Sequence, residues 1–435
     1  MWNLDGAVYA TPQVAGGCVI VATMGGSVYC LDPLHPGVVG WRTHLADPRT
    51  AGAATTFYGK TIGCLSKPAV DATGFRVYAV CASPTAWTVY SLDLATGAVL
   101  GSQAVAAWFP GAGCGGSDPV SGGNVQFSAA EQIQRPAMLL NGSTLIVGFG
   151  SNSDASPWHG WLLTYDISGT TPALSHVWLS TPNSCGGAIW QSGSPVAWDG
   201  ANYYLATGNG TGDHSMQVVK LDAALNVVAT WTPASEATLN ANDIDVGSGA
   251  PLLDGAGHIL IAFKDWRVRM LNAPDLSVVS DLPSNPSPPP LDGDSGTYGG
   301  LLVSSTYYVP TKPGPIYSYS AGGTLTPLVV GASSYASTMS LSVTIGVLWA
   351  ITTSTDPYAL TPWQPVTGTL RALDPTTLAE VWHADIGRMA SFSGPGFSDQ
   401  HVYAGNVDGV VRMFSHDPPV AQPFTGNSVS LLSWR

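Results

Sequence analysis

A short alternation of apolar and polar residues recurs along the chain and ends each time at a turn. Val-Tyr-Ser-Leu-Asp at 89–93 is representative, and related stretches stand at 28–32, 162–166, 218–222, 268–272, 316–320, 370–374 and 410–414. These eight copies are mostly about 50 residues apart. Alternation with a period of two predicts half-buried β-strands. The chain is therefore expected to be built from a repeated β unit.

Each copy belongs to a larger unit of four strands. A second strand precedes the copy, as at 203–206, and a third, often opened by proline, stands before that, as at 194–197. A fourth strand follows the turn and often ends at a tryptophan: Trp41, Trp178, Trp231 and Trp382. Four strands repeated radially are typical of a propeller blade, and a closed ring leaves only short, protected edges. We predict one all-β domain over 1–435, an eight-bladed β-propeller of four-stranded antiparallel blades, with seven blades as the alternative.

The two ends of the chain carry incomplete units. The first copy follows an apolar stretch at 7–12, while the last copy leaves room for only one more strand, at 429–432. We expect one blade to combine strands from both ends, which closes the ring.

The composition narrows the classes of partner. Charged residues make up only 10% of the chain, against about 25% in an average globular protein. The 51 glycines and 33 prolines favour many tight turns. The formal net charge of −13 disfavours nucleic acid and anionic lipid as partners. The sequence has no apolar run near the roughly 18 residues that a membrane helix requires, so we expect neither a nucleic-acid partner nor a membrane span.

The six cysteines bear on the compartment. Two of them flank the hairpin turn at 24–26, two bracket another pair of strands, and two lie in Cys-Gly-Gly loops. Among the 15 possible pairings, this placement favours Cys18–Cys30, Cys64–Cys81 and Cys114–Cys185. Disulfides indicate a secreted, periplasmic or extracellular protein whose leader has been removed, since the N-terminus does not resemble a signal peptide. The alternative is a cytoplasmic protein with six buried thiols.

The repeat resembles a known one. Val-Tyr-Ser-Leu-Asp-Leu-Ala-Thr-Gly at 89–97 is similar to the repeat of quinoproteins, the dehydrogenases that carry pyrroloquinoline quinone (PQQ) at the centre of eight-bladed propellers. The resemblance extends over the chain at the level of the repeat and is strongest at 135–272. It implies an oxidoreductase that uses PQQ with Ca²⁺ or a lanthanide to oxidise an alcohol or a sugar.

The same resemblance implies a role for five residues. Trp190 stands in a segment similar to the one whose tryptophan stacks under the quinone ring. Asn209 matches the asparagine of a Thr-Gly-Asn segment that ligates the metal. In Asn-Asp-Ile-Asp at 242–245, Asp243 matches the catalytic base and Asp245 the extra ligand of lanthanide-using members. The two aspartates also alternate along a strand-like segment, so we expect both to point to the same face. Lys264 stands where the family has an arginine or lysine beside the quinone oxygens.

The sequence also departs from the family. A metal-binding glutamate is expected near 150–155, where Asp154 is the only carboxylate. An adjacent cysteine pair is expected near 63–65, where Cys64 stands alone. With no haem motif, an electron acceptor would be a separate protein. Each candidate also has a structural alternative: a core role for Trp190, a turn role for Asn209, loop capping by the two aspartates, and a solvated Lys264.

One further candidate lies outside the quinoprotein segments. His159 stands between Trp158 and Trp161, an arrangement that suits sugar binding or acid–base chemistry. The alternative is a packed aromatic corner around a hydrogen-bonded histidine.

Three functions follow from the sequence. The first is a PQQ-dependent dehydrogenase, and the second is a propeller scaffold without cofactor that binds glycan or protein. The third, a polysaccharide lyase or hydrolase centred on His159, has the least support.

Overall fold

The protein is described here by a computed structural model that covers residues 1–50, 61–152, 156–285, 288, 293–344, 346–356, 365–389, 393–398 and 401–415. These residues form antiparallel strands almost throughout, as the period of two predicts. The helices in them are short: the α-helix Glu236–Ala241 and the 3₁₀ turns Gln191–Gly193 and Val246–Ser248. None of the helices in the described part of the chain is long and apolar enough to cross a bilayer.

The larger sheets share one topology: four antiparallel strands, each hydrogen-bonded to the next. In the described residues, seven sheets have four strands, and an eighth has this path with one added strand. Sheet 1 contains Gln13–Ala15, Cys18–Ala22, Ser27–Leu31 and Val39–His44. Sheet 2 contains Ala69–Asp71, Arg76–Ala82, Trp87–Asp93 and Val99–Ala104. Sheet 3 contains Leu139–Asn141, Thr144–Ser151, Trp161–Asp166 and Ala173–Leu179, with Gln132–Ile133 added to the second of these. Sheet 4 contains Ala197–Trp198, Asn202–Ala206, Val218–Asp222 and Val227–Trp231.

The second half of the chain repeats this path. Sheet 5 contains Leu252–Leu253, His258–Phe263, Arg267–Asn272 and Val278–Pro283. Sheet 6 contains Leu301–Val303, Thr306–Val309, Tyr317–Ser320 and Thr326–Val330. Sheet 7 contains Ser337–Thr344, Val347–Thr353, Thr367–Leu373 and Glu380–Arg388. Sheet 8 contains Gly396–Phe397, His401–Gly405, Val410–Ser415 and Trp2–Asn3. Shorter ribbons pair Arg49–Thr50 with Thr61–Ile62, Gly296–Thr297 with Thr311–Lys312, and Asn124–Gln126 with both Trp108–Pro110 and Val120–Ser121.

The aspartate that recurs at the end of the sequence pattern stabilises the turn that follows it. All eight copies of the sequence pattern lie on the third strand of their sheets. After that strand, Asp93 Oδ1 accepts hydrogen bonds from the backbone N–H groups of Ala95 and Thr96, at 3.1 and 2.8 Å. Asp374 binds the N–H groups of Thr376 and Thr377 in the same way. A short carboxylate side chain that satisfies the backbone of a turn explains why the pattern ends at this residue type.

Side chains that alternate toward the interior pack neighbouring sheets together. Trp87 of sheet 2 meets Phe149 of sheet 3 edge to face, with ring centroids 5.9 Å apart. Both side chains are fully buried in a cluster that also contains Trp161. The fourth strands, by contrast, expose apolar side chains such as Val99 and Val278. The core therefore lies between the sheets, and the fourth strands form their outer edges.

The N-terminal strand completes the last sheet. Trp2 pairs with Val411 and Asn3 with Val410, in antiparallel register. Trp2 is buried, and its indole Nε1 donates a hydrogen bond of 2.7 Å to the carbonyl oxygen of Val38, beside sheet 1. The expectation that strands from both ends share one blade is confirmed as a shared sheet. The stretch at 429–432 lies outside the described residues.

The three predicted disulfide pairings are confirmed: Cys18–Cys30, Cys64–Cys81 and Cys114–Cys185. The first joins neighbouring strands of sheet 1, because Ile20 pairs directly with Cys30. The second lies in the core between sheets 1 and 2, where both sulfurs are buried. The third joins two loops that are 71 residues apart in sequence.

Removing the buried disulfide is expected to lower stability. The double substitution Cys64→Ala and Cys81→Ala opens a loop whose ends are 17 residues apart. The loss of that constraint on the unfolded chain should lower the free energy of unfolding by about 3 kcal/mol. Urea denaturation under non-reducing conditions measures this, after mass spectrometry has shown that the other two disulfides are intact. An unchanged denaturation midpoint would contradict the expectation.

Candidate functional site

Lys264 is the centre of a cluster of charged and polar side chains. It follows directly after the strand His258–Phe263 of sheet 5. Its ammonium nitrogen lies 2.9 Å from Asp245 Oδ2 and 3.2 Å from Asp243 Oδ2. It also donates a hydrogen bond of 2.9 Å to the backbone carbonyl of Asp243. One cation therefore holds both carboxylates that the sequence singled out.

The segment that carries these carboxylates has a different conformation from the predicted one. The alternation at 242–245 predicts an extended strand with both aspartates on one face. Instead, Asp243 follows the helix Glu236–Ala241 with a left-handed φ of 57°, and Asp245 directly precedes the turn Val246–Ser248. The strand prediction is wrong, because the chain here turns back toward Lys264. The side chain of Asp243 is 62% exposed and that of Asp245 only 7%, so one faces solvent while the other is enclosed.

Asn209 joins the cluster from sheet 4. It stands between the strands Asn202–Ala206 and Val218–Asp222, and its Nδ2 donates a hydrogen bond of 2.5 Å to Asp243 Oδ1. Its φ is not among the positive values found in the chain, so the alternative of a left-handed turn residue is not supported. Its backbone carbonyl accepts a hydrogen bond of 2.6 Å from the N–H of Gly187, which fixes the loop.

Trp190 reaches the same cluster through a strained turn. The two residues after it, Gln191 and Ser192, both have a φ of 48°, a region that non-glycine residues rarely occupy. The buried Gln191 side chain holds this turn: its Nε2 donates to the carbonyl of Pro195 at 2.8 Å, and its Oε1 accepts from the N–H of Ala206 at 3.1 Å. Such local strain is retained where surrounding contacts fix the backbone, here the turn that directly follows Trp190.

A glycine keeps the indole close to the carboxylate. A Cβ placed on Gly208 would lie 3.4 Å from Trp190 Cδ1 and 3.3 Å from Asp245 Oδ1, so both groups lie directly against this residue. On the tryptophan ring, the guanidinium of Arg135 lies 5.3 Å from the centroid. The structure therefore brings together Trp190, Asn209, Asp243, Asp245 and Lys264, which we call the Lys264 cluster.

The charges of the Lys264 cluster are coupled. Both oxygens of Asp243 face protein groups, so burial raises the pKa of this carboxyl even though much of the side chain is exposed. The positive charge of Lys264 lowers that pKa, and the negative charge of Asp245 raises it. Burial lowers the pKa of Lys264, but Asp245, Tyr298 and Asp243 outweigh it and the net shift is upward. Lys264 is therefore a fixed positive charge at neutral pH.

Two buried oxygens of the cluster lack hydrogen-bond donors. Asn209 Oδ1 and Asp245 Oδ1 are enclosed and accept no hydrogen bond from any residue that the structure describes. Buried acceptors are nearly always satisfied, so an unsatisfied pair invites an explanation. Amide and carboxylate oxygens are the ligands that hard cations such as Ca²⁺ prefer.

Of the two remaining candidates, the structure describes only His159. Asp154 falls outside the described residues. Gly150, at the start of the 150–155 segment near which the family resemblance places a glutamate, does border the indole: a Cβ there would lie 3.0 Å from Trp190 Cε3. His159 is buried and bonded through both ring nitrogens, 3.0 Å from Asp118 Oδ2 and 2.8 Å from Thr181 Oγ1. This arrangement is the hydrogen-bonded alternative for His159.

Several further residues lie near the cluster that the sequence patterns do not single out. Tyr298 contributes to the electrostatics of Lys264, and Lys312 lies 5.6 Å from the Tyr298 ring and 3.2 Å from Asp356. These residues stand outside the repeated strand pattern, and their types alone carry no signal. For Arg135 a signal existed: it precedes a proline shortly before the first strand of sheet 3, as Lys67 precedes a proline shortly before that of sheet 2.

Comparison with known proteins extends the sequence resemblance. No model of a protein family and no curated protein matches this sequence. Among solved structures, quinohemoprotein alcohol dehydrogenase from Comamonas testosteroni matches with a TM-score of 0.61 at 14% identity, over 95% of this chain and 71% of that one. A europium-containing methanol dehydrogenase matches with a TM-score of 0.59 at 13% identity, over 95% and 83% of the two chains. Quinohemoprotein alcohol dehydrogenase ADHIIG from Pseudomonas putida HK5 matches with a TM-score of 0.50 at 14% identity, over 92% and 64%. The chain therefore resembles the quinoprotein dehydrogenases in fold, as its repeats predicted, and has their all-β propeller architecture of four-stranded antiparallel sheets.

Proposed function

We propose that residues 1–435 form one eight-bladed propeller whose Lys264 cluster is the site of a PQQ- and metal-dependent alcohol or sugar dehydrogenase. Eight sheets with one strand path, the last completed by Trp2–Asn3, support the blade count. The observation that carries the site is the pair of unsatisfied oxygens, Asn209 Oδ1 and Asp245 Oδ1, beside a fixed ammonium group.

The residues present fit the proposed groups in chemical type. Asn209 and Asp245 would hold a Ca²⁺ or lanthanide ion through their oxygens. Asp154 stays a predicted additional ligand. Trp190 would support a planar ring, and Lys264 would lie beside its oxygens. When bound, PQQ supplies a hydride acceptor and the metal polarises it.

Asp243 has the position of a general base. Its partly exposed side chain can reach a substrate hydroxyl, and a carboxylate within hydrogen-bond distance can take the hydroxyl proton. Lys264 bonds Oδ2 and Asn209 bonds Oδ1, so the carboxylate is held from both sides. The indole of Trp190 and Asp245 Oδ1 both lie against Gly208, so the ring is close to the enclosed carboxylate.

A second candidate is a propeller scaffold without cofactor that binds a glycan or a protein. Lys264 pairs with both carboxylates and thereby neutralises charge that a metal would otherwise balance. The described part of the 150–155 segment also holds no glutamate. The third function, a lyase or hydrolase centred on His159, gains no support because this side chain is enclosed.

The disulfides support an oxidising compartment. Three pairs within one chain are typical of secreted or periplasmic proteins and rare in the cytosol. We therefore propose a secreted, periplasmic or extracellular location. In such a location, electrons leaving the cluster would pass to a separate acceptor protein.

Cofactor uptake tests the proposal. The protein is mixed with PQQ and either Ca²⁺ or La³⁺, and the absorbance of bound cofactor is followed together with dye reduction by alcohols and sugars. We expect one equivalent of PQQ per chain in wild type and at least tenfold weaker uptake in Asp245→Ala. Asp47→Asn, at a carboxylate that is 91% exposed, serves as the matched control. If the protein takes up PQQ neither with Ca²⁺ nor with La³⁺, the dehydrogenase function is excluded and the scaffold function remains.

A further inference from the structure

A second polar cluster lies around the disulfide Cys114–Cys185 and shares no residue with the Lys264 cluster. His159 Nε2 lies 3.0 Å from Asp118 Oδ2 and 3.9 Å from Cys114 Sγ. The sulfur of Cys185 is bonded to that of Cys114. We propose that reduction of this disulfide creates a zinc site with Cys114, Cys185, His159 and Asp118 as its four ligands.

The distances already approach those of a tetrahedral zinc site. With Zn–S bonds of about 2.3 Å and Zn–N and Zn–O bonds of about 2.1 Å, tetrahedral corners lie about 3.6 Å apart for S and N and about 3.4 Å apart for N and O. The corresponding distances here are 3.9 Å and 3.0 Å, a difference of about 0.4 Å or less. The ligand atoms of Cys114, Asp118 and His159 all lie within 4.8 Å of one another. Small side-chain movements would bring these three ligands to a bound state, while the sulfur of Cys185 must move to about 3.8 Å from that of Cys114 once their bond is broken.

The hydrogen bonds of His159 select the nitrogen that would bind zinc. Thr181 Oγ1 donates its proton to the carbonyl of Gly186 at 2.9 Å, so it accepts from His159 Nδ1 at 2.8 Å. The proton on Nδ1 is thereby fixed, and Nε2 faces Asp118. Metal-bound histidines usually have such a partner on the other ring nitrogen, which orients the ring.

The disulfide takes the place of a metal in the oxidised chain. One proton must lie between His159 Nε2 and Asp118 Oδ2, because both atoms otherwise present lone pairs. The backbone N–H of Cys114 also donates to Asp118 Oδ2, at 2.6 Å. The side chains of His159 and Asp118 are only 3% and 2% exposed, so this pair is enclosed behind the disulfide. Zinc would replace the shared proton without requiring a new cavity for the histidine or the carboxylate.

A dithiol can act as the reductant of this disulfide. The dithiol gives two electrons and two protons to the Cys114–Cys185 bond, which breaks into two thiols, and the reductant becomes a disulfide. Zinc binding then releases the two thiol protons and the proton between His159 and Asp118. Cys114 and Cys185 are half-buried beside the exposed Gly115 and Gly116, whereas the other four cysteines are buried. A reductant should therefore open this disulfide first.

Zinc binding by the oxidised and the reduced protein is the direct test. The protein is treated with dithiothreitol, desalted without oxygen, and checked by alkylation and mass spectrometry for selective opening of Cys114–Cys185. Zinc is then counted by elemental analysis, and Co²⁺ serves as a spectroscopic probe. We expect one metal ion per reduced chain, none per oxidised chain, and thiolate-to-cobalt charge-transfer bands with the ligand-field bands of a tetrahedral site.

Variants identify the ligands. Cys114→Ser with Cys185→Ser should abolish binding after the same reduction, and His159→Ala should weaken it at least 100-fold. Thr181→Val keeps all four ligands and should weaken binding about 10- to 100-fold by releasing the histidine ring. A reduced wild type that binds no zinc would overturn the proposal, and this comparison does not depend on any variant folding. Equal binding by the double cysteine variant would overturn it as well, since the metal would then lie elsewhere.

Discussion

Asparagine in place of Asp243 is expected to lower kcat/KM of the PQQ- and metal-loaded protein by about 10²- to 10⁴-fold, the usual contribution of a positioned general base. Asparagine has nearly the same shape and can still accept the hydrogen bond that Lys264 donates. Its Nδ2 then faces Asn209 Nδ2, so only the hydrogen bond from Asn209 is lost. It cannot take a proton from a substrate hydroxyl. Cofactor uptake should therefore stay within a few-fold of wild type while turnover is lost.

Steady-state dye reduction measures the effect, with PQQ uptake recorded on the same samples. Asp47→Asn again serves as the control for removal of an exposed carboxylate. Asp243→Asn with unchanged kcat/KM would show that another group accepts the proton. Loss of uptake together with turnover would instead assign Asp243 to cofactor binding, contrary to the role proposed for it.

Local sequence patterns predict much of the fold. The period of two indicates which strand faces are buried, and the aspartate that ends five of the eight copies indicates a turn that its side chain stabilises. Cys18 and Cys30 lie symmetrically about a hairpin turn, so their pairing also follows from local geometry. These features need only neighbouring residues, which is why the sequence predicts them.

The contacts of the candidate site depend on segments far apart in the chain. The Asp243 carboxylate meets Lys264 and Asn209, which are 21 and 34 residues away. The left-handed φ of Asp243 is unfavourable for a non-glycine residue, and these contacts hold it. Because the contacts come from distant segments, no local sequence pattern predicts this φ. The resemblance to quinoproteins predicted which residues meet, while the alternation predicted the wrong backbone for two of them.

The partners of His159 show the same limit. The Trp-His-Gly-Trp sequence drew attention to this residue, but Asp118 comes from a loop 41 residues earlier and Thr181 from beyond the next two strands. Loops have no periodic pattern of apolar and polar residues, so the sequence does not predict their conformation. Only the folded chain shows that His159 is enclosed beside a disulfide and is not presented to a substrate.

Trp2→Ala is expected to lower the free energy of unfolding by about 3–5 kcal/mol, as for other large buried aromatic residues. The Trp2 side chain is 1% exposed, and its ring lies 6.4 Å from that of Tyr403 in sheet 8. Its Nε1–H bond to Val38 also ties sheet 8 to sheet 1. The substitution removes both the packing and this bond at the point where the N-terminal strand completes the last sheet.

Chemical denaturation compares this variant with two others. Trp2→Phe keeps a ring between sheets 8 and 1 but loses the donor to Val38, so its cost should be clearly smaller than that of Trp2→Ala. Trp108→Ala is the matched control: Trp108 is 58% exposed, and its replacement should change the free energy of unfolding by no more than about 0.5 kcal/mol. If Trp2→Ala were as mild as Trp108→Ala, the N-terminal strand would not contribute to closure of the fold. A large loss at Trp2 alone places that contribution in a strand of two residues, because its buried indole connects the last sheet to the first.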